Sequence, residues 1–232
     1  MKIYGLQKMT LLDFPGKVAC TVFLGGCNFR CPFCHNAELA DLSAPPVMEE
    51  EELFDFLKKR QGLLEGVAVT GGEPLFSDEI FGLLKGIKAL GYPLKLDTDG
   101  GYPDRLKKII DEKLADYIAM DVKNSEDKYA LTCGVGYVDM SRIRESISLI
   151  MNSGIEYEFR TTVTEELFDE DSFHGIGRLV DGAENYFIQP FKDRDTVRFA
   201  GFSAPSSETL QSYLNIMKRY VKNIEIRGAD GS

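Results

Sequence analysis

The chain has 232 residues, 44% hydrophobic and 28% charged, ordinary proportions for one soluble α/β unit with a sizeable core. A formal net charge of −10 argues against nucleic acid or an anionic membrane as partner. The sequence shows no export signal and no apolar run of bilayer-spanning length. Three of its five cysteines are crowded together rather than spread as a disulfide framework, so a reducing cytoplasm is the expected setting.

Residues 1–17 read as a short strand and a turn, with Asp13-Phe-Pro-Gly16 as the turn signal. Val18 to Leu24 is an apolar run with the character of a buried strand, and the cysteine-bearing loop follows it. Ala44-Pro-Pro46 breaks the chain before a helix over about Glu49 to Arg60, acidic at its start and basic at its end as the helix dipole favours. Val67 to Val69 reads as a strand, and Ser77 caps a helix carrying Ile80, Leu83, Leu84, Ile87 and Leu90. Leu94 to Thr98 is a third strand, and Pro103 opens a helix through Leu114. Tyr117 to Val122 is a fourth strand, followed by a long polar loop to about Val138 and a helix with Ile143, Ile147 and Ile150. Glu156 to Val163 and Tyr186 to Phe191 complete six parallel-type strands, with a helix over about Glu165 to Leu179 between them. A last helix holds Leu210, Leu214, Met217 and Val221, and Asn223 to Arg227 reads as an edge strand.

Strands and helices alternating at roughly 30-residue spacing predict an α/β fold, a partial, open parallel β/α barrel of about six units. The chain is short of the ~250 residues usual for eight. It is expected as one unit over 1–232: an N-terminal strand and turn (1–17), a core barrel (18–191), and a C-terminal helix with edge strand (192–232).

The unusual polar residues cluster after strands, where parallel barrels place their active sites. Cys27, Cys31 and Cys34 follow the first strand, and Gly71-Gly72-Glu73 the second. Asp97-Thr98-Asp99 ends the third, Asp121 and Lys123 the fourth, while Arg160 and Gln189 lie on the last two. Crowded thiolates bind soft metals or iron–sulfur clusters. Structural zinc wants four ligands, and His35, adjacent to Cys34, is poorly placed to supply the fourth. Cys31-Pro-Phe-Cys34-His35 matches a haem-attachment pattern, but without the export signal that usually accompanies it. Buried structural cysteines are the plain alternative, and a Gly/Asn/Arg loop is a poor core. An iron–sulfur cluster fits best, its fourth iron free for a ligand. Gly71, Gly72 and Glu73 suit close backbone approach and a ligand ammonium group. Asp97, Thr98 and Asp121 can gather around a cation or an amine, with Lys123 or Arg160 meeting a carboxylate. Cys20 reads as core, Cys133 as an exposed thiol outside the cluster, and His174 has no role.

Cys27-x3-Cys31-x2-Cys34, with Phe33 before the last cysteine, resembles the signature of the radical S-adenosylmethionine (SAM) superfamily, and Gly71-Gly72-Glu73 its methionine-binding motif. Asp13-Phe-Pro-Gly16, Cys34-His35-Asn36, Thr70-Gly-Gly-Glu-Pro74, the Leu-Asp-Thr turn and Met120-Asp-Val-Lys123 resemble the glycyl-radical-enzyme activating enzymes. Among these the likeness is greatest to the longer form of the anaerobic ribonucleoside-triphosphate reductase activating proteins. It covers about residues 1–191.

The resemblance implies a [4Fe–4S] cluster on Cys27, Cys31 and Cys34 that binds SAM and cleaves it to methionine and a 5′-deoxyadenosyl radical. That radical takes hydrogen from a glycine of a partner glycyl-radical enzyme. By similarity, Gly72 and Glu73 sit near the methionine amine and Phe33 near the adenine. Lys123 and Arg160 match SAM-contacting positions, and Asp97, Thr98 and Asp121 match positions that hold a monovalent cation or the SAM it touches. A flavodoxin- or ferredoxin-type electron donor and an anaerobic setting follow from the same likeness. The family's turn is commonly Asp-Thr-Asn-Gly, whereas Asp99 stands here, either strengthening a cation site or facing solvent. The competing functions are a radical SAM enzyme acting on a small molecule or peptide, and a non-catalytic electron-transfer protein.

Overall fold

A computed structural model of the protein describes residues 1–228. The chain runs through β1 (Lys2–Ile3), β2 (Gly5–Thr10), β3 (Ala19–Leu24), α1 (Ala37–Ala40), β4 (Met48–Glu49) and α2 (Glu50–Lys59). Then come β5 (Gly66–Gly71), α3 (Ile80–Ala89), β6 (Leu94–Thr98), α4 (Pro103–Asp111), β7 (Tyr117–Asp121), α5 (Glu126–Thr132) and α6 (Met140–Met151). The order closes with β8 (Glu156–Val163), α7 (Glu170–Leu179), β9 (Asn185–Pro190), α8 (Ser207–Met217) and β10 (Asn223–Ile226).

Eight strands form one sheet in the order β10-β9-β8-β7-β6-β5-β3-β2. Every pair is parallel except β2 with β3. The two ends of this sheet do not pair with each other, so the barrel is open, as the alternation predicted. The expected C-terminal edge strand is β10, and it pairs in parallel with β9. The N-terminal strand resolves into β1, paired with β4, and β2, the antiparallel edge.

The outward-facing strand residues Val22, Val69, Leu96, Ile118 and Phe159 are buried against apolar helix stripes such as Leu83, Leu84 and Ile87 of α3 and Ile143, Ile147 and Ile150 of α6. A separate small cluster of Phe14, Ala19, Tyr117 and Ala119 plugs the inside of the barrel at the strands' N-terminal ends. Above that plug the inward positions become charged: Lys95 and Asp97 on β6, Asp121 on β7, Glu158 and Arg160 on β8. Glu158, fully buried, accepts from both Arg227 amines at 2.8 Å and from the Tyr117 hydroxyl at 2.9 Å. An ionic interior of this kind holds only because each charge has a partner.

Two expectations change. The polar stretch expected as a loop to Val138 contains helix α5. It turns Tyr129 and Cys133 inward at an i, i+4 spacing, both fully buried. The helix expected from Glu165 starts only at Glu170, because Asp169 and Ser172 form a reciprocal cap there.

Candidate active site

The strand C-termini surround a cavity of about 240 Å³. Its wall includes Cys27, Cys31, Cys34 and Phe33 from the first loop, and Gly71, Gly72 and Glu73 from the second. Asp97, Thr98, Asp99, Asp121, Lys123, Arg160 and Gln189 complete it from the remaining strand ends. The residues singled out from sequence therefore share one space. A larger groove of about 740 Å³ lies on the outer face between α5, α6 and α7 and shares no strand-end motif.

The cysteine loop is locked to the glycine loop by backbone. Leu24 pairs with Gly71 in the parallel ladder. Beyond it, Gly72 N–H donates to the Leu24 carbonyl at 2.9 Å and Glu73 N–H to the Gly26 carbonyl at 2.8 Å. A Cβ on Gly71 would lie 2.1 Å from the Leu24 oxygen, and one on Gly72 2.2 Å from the Gly26 oxygen. Gly71 also has φ +130°, open to glycine. The two glycines are thus required by the approach of the loops to each other. Asn36, which follows the cysteines, fastens the same junction by donating to the Gly71 carbonyl at 3.0 Å.

Glu73 is almost wholly buried, and its carboxylate organises the site floor. It accepts from Leu75 N–H at 2.9 Å, the Thr98 hydroxyl at 2.9 Å and Asp99 N–H at 2.6 Å. A carboxylate offers about four acceptor positions, which leaves roughly one for a ligand. Burial and then the neighbouring Asp99 charge push its pKa up, against those three donors.

Asp99 does not face solvent. It is buried, accepting from Gly101 N–H at 2.8 Å, with Oδ2 3.9 Å from the Cys27 sulfur. Burial raises its pKa to about 6, with Gly101 N–H pulling the other way.

Arg160 bridges two strand ends, donating to Asp97 at 3.0 Å and to both Asp121 oxygens at 3.2 Å. Asp97 is also paired with Lys95. Burial works against the ionised Asp97, but Arg160 and Lys95 outweigh it and hold the pKa at about 2. Lys123 lies 3.8 Å from Asp121. Asp97, Thr98 and Asp121 all line the cavity. The two carboxylates already have chain counter-charges, and the Thr98 hydroxyl is turned onto Glu73.

A backbone N–H reaches one of the sulfurs, Phe29 N–H to Cys27 at 3.3 Å. All five cysteines are free thiols. Among the described residues, no three His, Cys, Asp or Glu side chains meet as a mononuclear ion requires. A [4Fe–4S] cluster makes a different demand: one face open to ligand, and sulfurs that accept hydrogen bonds, which tune its potential. Three thiols on one cavity wall, one of them with a backbone donor, fit it.

Cys133 is a correction. Expected as an exposed thiol, it is buried, and its carbonyl accepts Arg30 N–H at 2.8 Å. Helix α5 carries it there. His35 stacks on Phe191 with ring centroids 5.3 Å apart and contacts the Lys192 carbonyl through Nε2 at 2.6 Å. His174 contacts the Tyr220 hydroxyl at 3.2 Å. Phe33 packs edge-on against Phe191 and Phe202 while lining the cavity. The sequence reading missed Asn36, Thr162 and Arg198. Asn36 and Thr162 line the cavity, and Arg198 reaches the cysteine loop from the segment after β9.

The model of the radical SAM superfamily matches residues 21–172. A Methanocaldococcus jannaschii protein named as a glycyl-radical enzyme activating enzyme is 32% identical, across 99% of this chain and 97% of its own length. The pyruvate formate-lyase-activating enzyme of Clostridium pasteurianum is 25% identical, across 79% and 78%. A solved domain of the pyruvate-formate lyase-activating enzyme from Bacteroides vulgatus superposes with a TM-score of 0.57, at 20% identity, covering 70% of this chain and 99% of that one. A native anSMEcpe structure with bound AdoMet gives 0.55 at 15% identity, covering 84% and 58%. These two likenesses are of fold.

Proposed function

Since the chain belongs to the radical SAM superfamily, and within it to the glycyl-radical-enzyme activating type, we propose that its substrate is a glycyl-radical enzyme, specifically an anaerobic ribonucleoside-triphosphate reductase. The observation that carries the chemistry is the convergence of the three thiols, the Gly71-Gly72-Glu73 loop and the Arg160–Lys123 cations on one cavity. When bound, the cluster and SAM supply the radical chemistry: one electron cleaves SAM to methionine and a 5′-deoxyadenosyl radical, which takes a hydrogen atom from a partner glycine.

The chain's own residues bind and orient. Cys27, Cys31 and Cys34 would hold the cluster. The glycine loop gives a ligand backbone contact and the last acceptor position of Glu73, suited to an amine. Lys123 and the outer edge of Arg160 suit a carboxylate, and Phe33 suits a flat base. A ligand that fills the cavity would exclude water, which protects a reactive radical. Arg160, Lys95 and Lys123 balance charge at Asp97 and Asp121, and a monovalent cation beside Asp97, Thr98 and Asp121 belongs to the same proposal. The electron is proposed to come from a flavodoxin- or ferredoxin-type donor.

Anaerobic reconstitution tests the reading. The protein, Cys133→Ala and Cys31→Ala are supplied with iron and sulfide, reduced, and given SAM. The protein and Cys133→Ala should load iron and form 5′-deoxyadenosine, while Cys31→Ala should do neither. Equal losses in both variants, or a loaded and reduced protein that leaves SAM intact, would refute it.

A further inference from the structure

Arg198 stands outside every motif, yet its backbone runs beside the cysteine loop. Its N–H donates to the Cys34 carbonyl at 3.2 Å, and the next N–H, of Phe199, to the Pro32 carbonyl at 3.1 Å. The guanidinium turns inward, with the side chain 14% exposed, and Nη1 meets Asp41 Oδ2 at 2.6 Å. Its other nitrogens, Nε and Nη2, are buried with no hydrogen-bond partner.

Buried, unpartnered donors on a cation are costly. Asp41 cannot balance this one alone, because its Oδ1 is already engaged by Arg30 at 2.8 Å. Two guanidinium groups share one carboxylate, so one positive charge is left over beside the loop. After Asp41, the groups whose ionisation acts on Arg198 are Cys34 and Cys31, which are charged only as thiolates. What is missing is an anion at the thiolate edge, and a sulfur-ligated cluster is one. Three thiolates on a doubly positive [4Fe–4S] core leave one net negative charge, and reduction by one electron makes it two.

We propose that Arg198 is the charge partner of the cluster at its Cys34–Cys31 edge and raises its midpoint potential by favouring the more negative, reduced form. It acts through the cluster's surroundings, so it is a positioning residue. Charge and hydrogen bonding around the sulfurs are the means by which a protein sets such potentials. The proposal rests on the cluster assignment above.

The test is a spectroscopically monitored redox titration of the reconstituted protein beside Arg198→Gln, Arg198→Lys and Asp41→Asn. Arg198→Gln should shift the midpoint to a more negative potential at unchanged iron content. Arg198→Lys, which keeps the charge, should stay near the parent value. Asp41→Asn removes the anchor and keeps the cation, so its midpoint should not fall. If Arg198→Gln takes up no cluster while the other two load at or above the parent midpoint, the need for charge is likewise supported. An unmoved midpoint in Arg198→Gln, or Asp41→Asn behaving as Arg198→Gln does, overturns the proposal. Failure of the unsubstituted protein to load a cluster would instead defeat the reading on which the proposal rests.

Discussion

Arg160 does more than offer a cation to a ligand. Its guanidinium holds two carboxylates from neighbouring strands, 13% and 22% exposed, close enough to burial to need a partner. Breaking a buried pair leaves an uncompensated charge, at about 3–5 kcal/mol. Arg160→Ala should fall near the lower end, about 3 kcal/mol by urea unfolding, because Lys95 still meets Asp97 and Lys123 lies near Asp121. A loss under about 1 kcal/mol would show that the lumen tolerates unpaired carboxylates. At this scale the sequence named most of the cavity's residues but not their occupations. Glu73 read as a free carboxylate for an ammonium group, yet most of its acceptor capacity is spent on Leu75, Thr98 and Asp99. The Thr98 and Asp99 donors come from a neighbouring strand end whose approach no local pattern encodes. Arg198 left no trace at all, since its meaning depends on a segment folding back more than 150 residues along the chain onto Cys34.

Among the elements, α7 shows how a helix start is set by charge and capping together. Asp169 accepts from Ser172 N–H at 2.8 Å and pairs with Lys128 of α5 at 2.6 Å, so one side chain ties two helices. The Lys128 hydrogen bond, then Ser172, holds its pKa at about 2, below the ordinary 3.8. A depressed carboxylate stabilises the fold above its unfolded pKa and loses that contribution as pH falls through the folded one. Asp169→Ala should therefore cost about 1 kcal/mol at neutral pH, with the difference from the parent shrinking between pH 3.8 and about 2. Asp169→Asn keeps a capping oxygen and should lose less at pH 7. Urea titrations across that range check both, and a pH-independent difference for Asp169→Ala would contradict the assignment.

The strands and most helices were legible because apolar runs and i, i+3, i+4 stripes record burial directly. Helix α5 was not, because its inner face carries the polar Thr132 beside Tyr129 and Cys133 in a stretch with few apolar residues. The start of α7 was misplaced for a related reason. The cap at Asp169 is a side-chain decision within a polar run, while periodicity reports only the buried stripe behind it.

For the molecule as a whole, the open barrel solves two problems with one sheet. Its outer face buries apolar helix stripes and supplies the core. Its inner face is plugged at one end by Phe14 and Tyr117 and lined by paired charges toward the other. That polar lumen rises to the cavity where the cysteine and glycine loops meet, so the scaffold delivers fixed charges and backbone donors to that site. Among the described residues no helix is long and apolar enough to cross a membrane.

The central claim is that this site abstracts hydrogen from a glycine of a partner protein, and isotope transfer addresses it most directly. The reconstituted protein would be reduced, supplied with SAM, and mixed with an anaerobic ribonucleoside-triphosphate reductase whose glycines carry deuterium at Cα. The account predicts deuterium in the 5′-deoxyadenosine formed, together with a glycyl radical on the reductase. 5′-Deoxyadenosine that forms in the presence of that partner without taking up deuterium would contradict it.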